Sequence, residues 1–131
     1  MEKQGVSSIS DFMKVISQPA RIRILLAIGH DEACVCHLEV MLGYRQAYIS
    51  QHIMAMKAAG ILSMRRSGRF RFYRLKNPEI LNLIRSAARL AGLAQSDIAA
   101  LFDMPPVTDC CCPKCQTNSE EALSLNIESI H

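Results

Sequence analysis

The chain has 131 residues and a mass of 14.6 kDa, enough for one domain and little more, which argues against a two-domain enzyme. Half of the residues are hydrophobic and 21% are charged, which excludes wholesale disorder and fits a globular protein with a real core. Net charge is only +3, but no Asp or Glu occurs from Val40 to Pro78, where Arg45, Lys57, Arg65, Arg66, Arg69, Arg71, Arg74 and Lys76 contribute +8 and leave −5 to the rest.

Ser10 to Ile16 reads as a short first helix, and Pro19 opens a second that ends at Gly29-His30-Asp31. A third runs from about Val35 to Leu42 and stops at Gly43; a fourth spans roughly Gln46 to Ala59. After Gly60 the period changes. Ile61 to Arg66 and Arg69 to Leu75 read as two strands joined at Ser67-Gly68, the second alternating cationic with aromatic or aliphatic residues. A fifth helix covers Pro78 to Leu93, and Ser96 caps a possible further turn ended by Pro105-Pro106. The organisation expected is residues 1–93 as one folded domain, and 94–131 as an extension with a cysteine cluster and a mobile tail. The polar start and the lack of a long apolar stretch predict a cytoplasmic protein without a membrane partner.

Two helices joined by a short Gly-containing turn and followed by a basic hairpin have the layout of a winged helix-turn-helix, mainly α with a small β-hairpin. On the fourth helix Ile49, Ile53 and Met56 share one face, leaving Ala47, Ser50, Gln51 and Met54 outward, where amide and hydroxyl side chains can read a major groove or hold phosphate. Arg65, Arg66 and Arg69 fall near the hairpin tip, where a wing meets phosphates or a minor groove. The competing reading is a solvated basic surface on a small helical domain.

Five segments in register (Gln18 to Leu25, Cys34 to Leu38, Ile49 to Ile53, Ala59 to Leu62 and Arg65 to Leu75) together resemble the ArsR/SmtB family of metal-responsive repressors over about residues 10 to 92. The resemblance implies a homodimer that represses its own operator and lets go when a thiophilic ion binds. By position Gln46, Ser50 and Gln51 match the family's base- and phosphate-contacting residues, and the orientation of Tyr48 adds it to that set. Arg45 stands where the family often has a small polar cap, which predicts a less well fixed helix start.

Six cysteines fall in two clusters, Cys34-Val35-Cys36 and Cys110-Cys111-Cys112-Pro113-Lys114-Cys115, in a chain with no export signal, so reduced thiols are expected. Thiolates select As(III), Sb(III), Cd(II), Pb(II), Cu(I) or Zn(II). On a regular helix Cys34 and Cys36 would lie about 200° apart; at an irregular helix start both can face one ion. The family's Cys-x-Cys motif sits at this place in members sensing arsenic, antimony, lead or cadmium, and some members add C-terminal cysteines. Either a composite site, Cys34 and Cys36 with one or two of Cys110, Cys111, Cys112 and Cys115, or a separate tail site follows. His37 is an extra nitrogen ligand or a polar partner at the helix start. The family's zinc and nickel sensors use His and carboxylates on the fifth helix, and this one has no His and only Glu79, which disfavours that type. The expected inducer is As(III) or Sb(III), then Cd(II) or Pb(II). A thiol redox switch and a metal buffer are the alternatives. No nucleophile with a paired base, phosphate loop or dinucleotide fingerprint points to an enzyme or to a small organic substrate. The fifth helix, with the first, is the expected dimer seam.

Overall fold

A computed structural model describes residues 2–104. Six helices and one small sheet follow in the order α1 (Glu2–Ile16), α2 (Pro19–Ile28), β1 (Glu32–Cys34), α3 (Val35–Leu42), α4 (Gln46–Ala58), β2 (Leu62–Ser67), β3 (Phe70–Leu75), α5 (Glu79–Leu90) and α6 (Gln95–Phe102). The strands form an antiparallel sheet in the order β1-β3-β2. The expected winged helix-turn-helix is what the chain forms.

The core is built on α2. Pro19 occupies its first turn, where a missing N–H costs nothing, and Ala20, Ile24, Leu25, Leu26 and Ile28 are all buried. Leu38 of α3 and Ile49, Ile53 and Met56 of α4 close on the same cluster, each at most 1% exposed. Between α3 and α4 the chain must reverse in three residues. Gly43 makes this possible with φ 73°, ψ 12°, its N–H closing on the Glu39 carbonyl at 2.9 Å.

Four boundaries depart from the sequence expectation. Helix α1 starts at Glu2, eight residues before Ser10, with Val6, Ile9 and Met13 along a stripe that stays 45–67% exposed. That stripe is interrupted by Gly5, Ser7 and Ser8, poor helix formers that hide it from a reading by propensity. Strand β1 is not announced by its sequence; three residues are too few to show a period, and it exists because β3 offers an edge to pair with. Helix α5 is shorter than expected, and the turn after Ser96 is a two-turn helix. Ile98 anchors α6, fully buried, and Phe102 lies under the Arg85 guanidinium of α5 at 4.1 Å. Among the described residues no helix is long and apolar enough to cross a membrane.

Candidate functional site

Cys34 is both the last residue of β1 and the N-cap of α3, with extended backbone (φ −89°, ψ 166°). Because it is not helical, the 200° separation does not apply, and its Sγ lies 2.8 Å from that of Cys36 in the first turn. That is longer than the about 2.05 Å of a disulfide. It is shorter than the roughly 3.8 Å that two thiolates span on a tetrahedral ion with bonds of about 2.3 Å. A modest opening of either χ1 supplies the difference. The Cys34 sulfur also accepts the His37 backbone N–H at 3.4 Å, as an N-cap oxygen would. Cys34 is buried and Cys36 half-buried, and they form a small cluster with Phe72 and Phe70 of the wing, apart from the main core.

Two soft donors on one side of a helix start suit a thiophilic ion. Among the described residues no group of three or more His, Cys, Asp or Glu comes together. Cys110, Cys111, Cys112 and Cys115 lie outside the described residues.

The thiols open into a cleft of about 400 Å³ whose other walls include Gln46, Ser50, Arg69 and Tyr73. The sulfur pair and the helix start meant to read DNA therefore share one space. Gln46, the first residue of α4, and Gln51 are exposed, and Ser50 is half-buried. Arg45 makes no side-chain cap bond, as its size predicts, and no acidic residue occupies the first turn of α4. Its leading N–H groups and positive dipole end therefore meet no carboxylate from the helix's own first turn. Tyr48 is 44% exposed but sits on the opposite flank of α4, about 200° around the axis from both Gln46 and Ser50. The residues expected to face DNA thus straddle α4, with Ala47, Gln51 and Met54 between the two flanks.

In the wing, the turn is Gly68-Arg69, closed by the Ser67–Phe70 pair, with Gly68 at φ 61°. A glycine first in a two-residue turn matches the hand of the strand twist. Arg69 is therefore at the tip itself, and Arg66 faces Arg71 one pair below it. Arg65 is placed differently. Its Nε and Nη2 both donate to the Glu32 carboxylate of β1, and its guanidinium lies 4.8 Å above the Phe72 ring. The carboxylate hydrogen bond raises the guanidinium pKa further above its ordinary value. Glu32 thus engages the cation that the sequence reading assigned to phosphate contact. Replacing Glu32 by Gln is expected to strengthen operator binding slightly and steepen log Kd against log salt by about one unit, because one more cation becomes available to the backbone. A slope unchanged in the variant would mean Arg65 does not reach DNA in either state.

Sequence reading missed Glu32, Arg21 and His52. Arg21 of α2 donates from Nε to Nδ1 of His52 at 3.0 Å, and from Nη1 to the Val15 carbonyl of α1 at 2.9 Å. His52, three residues after Ile49, lies about 60° from it around the helix and so falls on the buried face; that spacing was the available signal. Arg23 holds the Tyr44 hydroxyl at 2.9 Å, and Tyr44, Tyr48 and His52 meet edge to face in succession, with ring centres 5.1 and 4.6 Å apart.

Residues 18–63 match the model of the bacterial regulatory protein arsR family. Over 78 residues the chain is 35% identical to the cadmium resistance transcriptional regulatory protein CadC of Listeria innocua, covering 59% of this chain and 66% of that protein, just under two thirds of its length. Over 90 residues it is 31% identical to the HTH-type transcriptional repressor SmtB of Mycobacterium tuberculosis, covering 69% of this chain and 67% of that one. The solved structure of the transcriptional repressor BigR from Xylella fastidiosa superposes with a TM-score of 0.62 at 26% identity, over 72% of this chain and 95% of that one. The chain belongs to the ArsR/SmtB family of winged helix-turn-helix transcriptional regulators.

Proposed function

We propose that this protein is a homodimeric repressor that leaves its operator when a thiophilic ion is held by Cys34 and Cys36, completed by one or two of Cys110, Cys111, Cys112 and Cys115. The observation that carries the reading is the shared cleft, where the Sγ pair 2.8 Å apart and the Gln46 and Ser50 side chains line the same walls. The order of inducers is As(III) and Sb(III), then Cd(II) and Pb(II), with Zn(II) a weaker fit; the likeness to a cadmium resistance regulator supports the cadmium arm. The bound ion would supply soft Lewis acidity that draws thiolates to a common centre.

Cys34 and Cys36 then do the mechanical work. Cys34 caps α3, ends β1 and pairs with Phe72. Drawing its sulfur toward further thiols loosens the first turn of α3 and shifts the edge of the wing sheet at once. Both surfaces that meet DNA, the start of α4 and the wing, adjoin that residue. A coupling of about 1–3 kcal/mol lowers operator affinity roughly 5- to 150-fold.

The dimer would form across α1, α5 and α6. Val6, Ile9 and Met13 of α1, Leu90 of α5 and Leu101 of α6 are exposed apolar residues, Leu90 at 90%, and a groove of about 670 Å³ runs between these helices. No described element covers it.

Operator binding followed by fluorescence anisotropy, with each ion added in turn, tests the whole. Release at one ion per site supports it; no release by any thiophilic ion removes it, and release by peroxide alone, reversed by a reductant, replaces it with the redox reading. Within DNA recognition, Arg69→Ala is expected to weaken binding to all sequences and flatten the salt dependence, while Gln46→Ala relaxes sequence preference with little change in salt slope. Equal effects of the two changes would overturn the division between wing and reading helix.

A further inference from the structure

His52 is the one buried polar residue among those described, and neither ion capture nor groove reading uses it. Its Nε2 is enclosed and has no hydrogen-bond partner among the described residues. Buried polar atoms are nearly always paired, so this one calls for an explanation, and the bonds the ring does make supply it. We propose that Arg21 and His52 are positioning residues for operator recognition, fixing the pitch of α4 against α1, and that they do so only while the imidazole is neutral.

The geometry is that of a clamp. One planar guanidinium reaches from α2 to the last turn of α1 through the Val15 carbonyl and to the middle of α4 through Nδ1 of His52. Two residues further along α2, Arg23 holds Tyr44 immediately ahead of α4. The reading helix is thus located at its entrance and at its second turn, and Tyr48 is caught edge to face between the two points. Since α1 belongs to the proposed dimer seam, its angle to α4 sets the spacing of the two reading helices in a dimer.

The clamp depends on protonation. Nδ1 accepts from Arg21, so the single proton of the neutral ring is on Nε2. A second proton would sit on Nδ1, donor facing donor and cation beside cation. Against the imidazole, α2 contributes Arg21 and α4 contributes the Tyr48 ring, while the Val15 carbonyl at the α1 end holds the far side of the Arg21 guanidinium. From α1, α3 and β2 the described residues bring no ionisable side chain into hydrogen-bond or ion-pair contact with it. Burial first, and the Arg21 charge second, hold its pKa below the ordinary 6.5. The sign follows: with a lowered folded pKa, the contact is complete above pH 6.5 and is lost as pH falls through the lower midpoint.

The test is operator affinity from about pH 8 to pH 5 for the full-length protein and two variants. In His52→Asn the amide oxygen can stand where Nδ1 stood and does not titrate; in His52→Leu no acceptor remains. Wild-type affinity is expected to fall by up to about tenfold per pH unit below the midpoint. His52→Asn should keep its neutral-pH affinity within about threefold and lose that acid dependence, whereas His52→Leu should bind about tenfold more weakly throughout. An Asn variant that titrates in parallel with the wild type, or a Leu variant that binds normally at neutral pH, overturns the proposal. Should the Leu variant fail to fold by circular dichroism, nitrogen-15 spectra of the wild-type imidazole decide: the Nε2–H tautomer supports the clamp and the Nδ1–H tautomer refutes it.

Discussion

Replacing Cys34 by Ser is expected to abolish induction while leaving repression and stability intact. The two consequences separate because Cys34 has two jobs. As the N-cap of α3 it accepts the His37 N–H, a task that serine performs at least as well, so the folded state should lose nothing and can gain a few tenths of a kcal/mol. As a soft donor it has no substitute in serine, whose hydroxyl is neither thiophilic nor ionised at neutral pH. The ratio of operator affinities with and without ion, about 5- to 150-fold in the wild type, should collapse to one. Cys34→Ala makes the complementary comparison: induction is lost as in the Ser variant, and thermal stability now falls by about 0.5–2 kcal/mol because the cap is gone as well. Measured by anisotropy titration and thermal melting, a Ser variant that still responds to As(III) or Cd(II) would remove Cys34 from the site. A Ser variant that repressed no better than an unfolded chain would show instead that the sulfur packs against Phe72 in a way an oxygen cannot.

The helix-turn-helix, the wing and the pairing of the two cysteines are legible because each rests on local pattern. Gly43 after an apolar run, Gly68 between two alternating strands, and a Cys-x-Cys at a helix start all state their geometry within a few residues. What is not legible depends on partners far along the chain. Strand β1 is three residues of no particular propensity and is recruited by the β3 edge some forty residues later. That same pairing brings Glu32 beside Arg65, turning a residue assigned to phosphate into one held by a carboxylate. His52 follows the same rule: its helical position predicts burial, but only the fold brings Arg21 to its Nδ1. Helix α1 is hard to read for the opposite reason, since its apolar stripe faces away from the described core and its sequence alone offers little helical preference.

The interior of α4 carries the largest expected effect on stability. Ile53 is 1% exposed in the cluster that also holds Leu25, Leu38 and Met56, whereas Met54, the next residue, is 59% exposed. Truncating Ile53 to Ala removes three buried carbons and leaves a void that a close-packed helical core closes only in part, for a loss of about 2–5 kcal/mol. Against a total of about 5–15 kcal/mol for a domain of this size, that is a large fraction. A melting point lower by roughly 8–40 °C follows at about 4–8 °C per kcal/mol. Met54→Ala should stay within about 0.5 kcal/mol, since its side chain already meets solvent. Urea unfolding of both variants without ion checks the pair. Equal losses would mean that α4 is rotated about its axis, with Ile53 no deeper than Met54. The assignment of Gln46, Ser50 and Gln51 to the DNA side would then fall as well, because one helix cannot turn its core face without turning its reading face too.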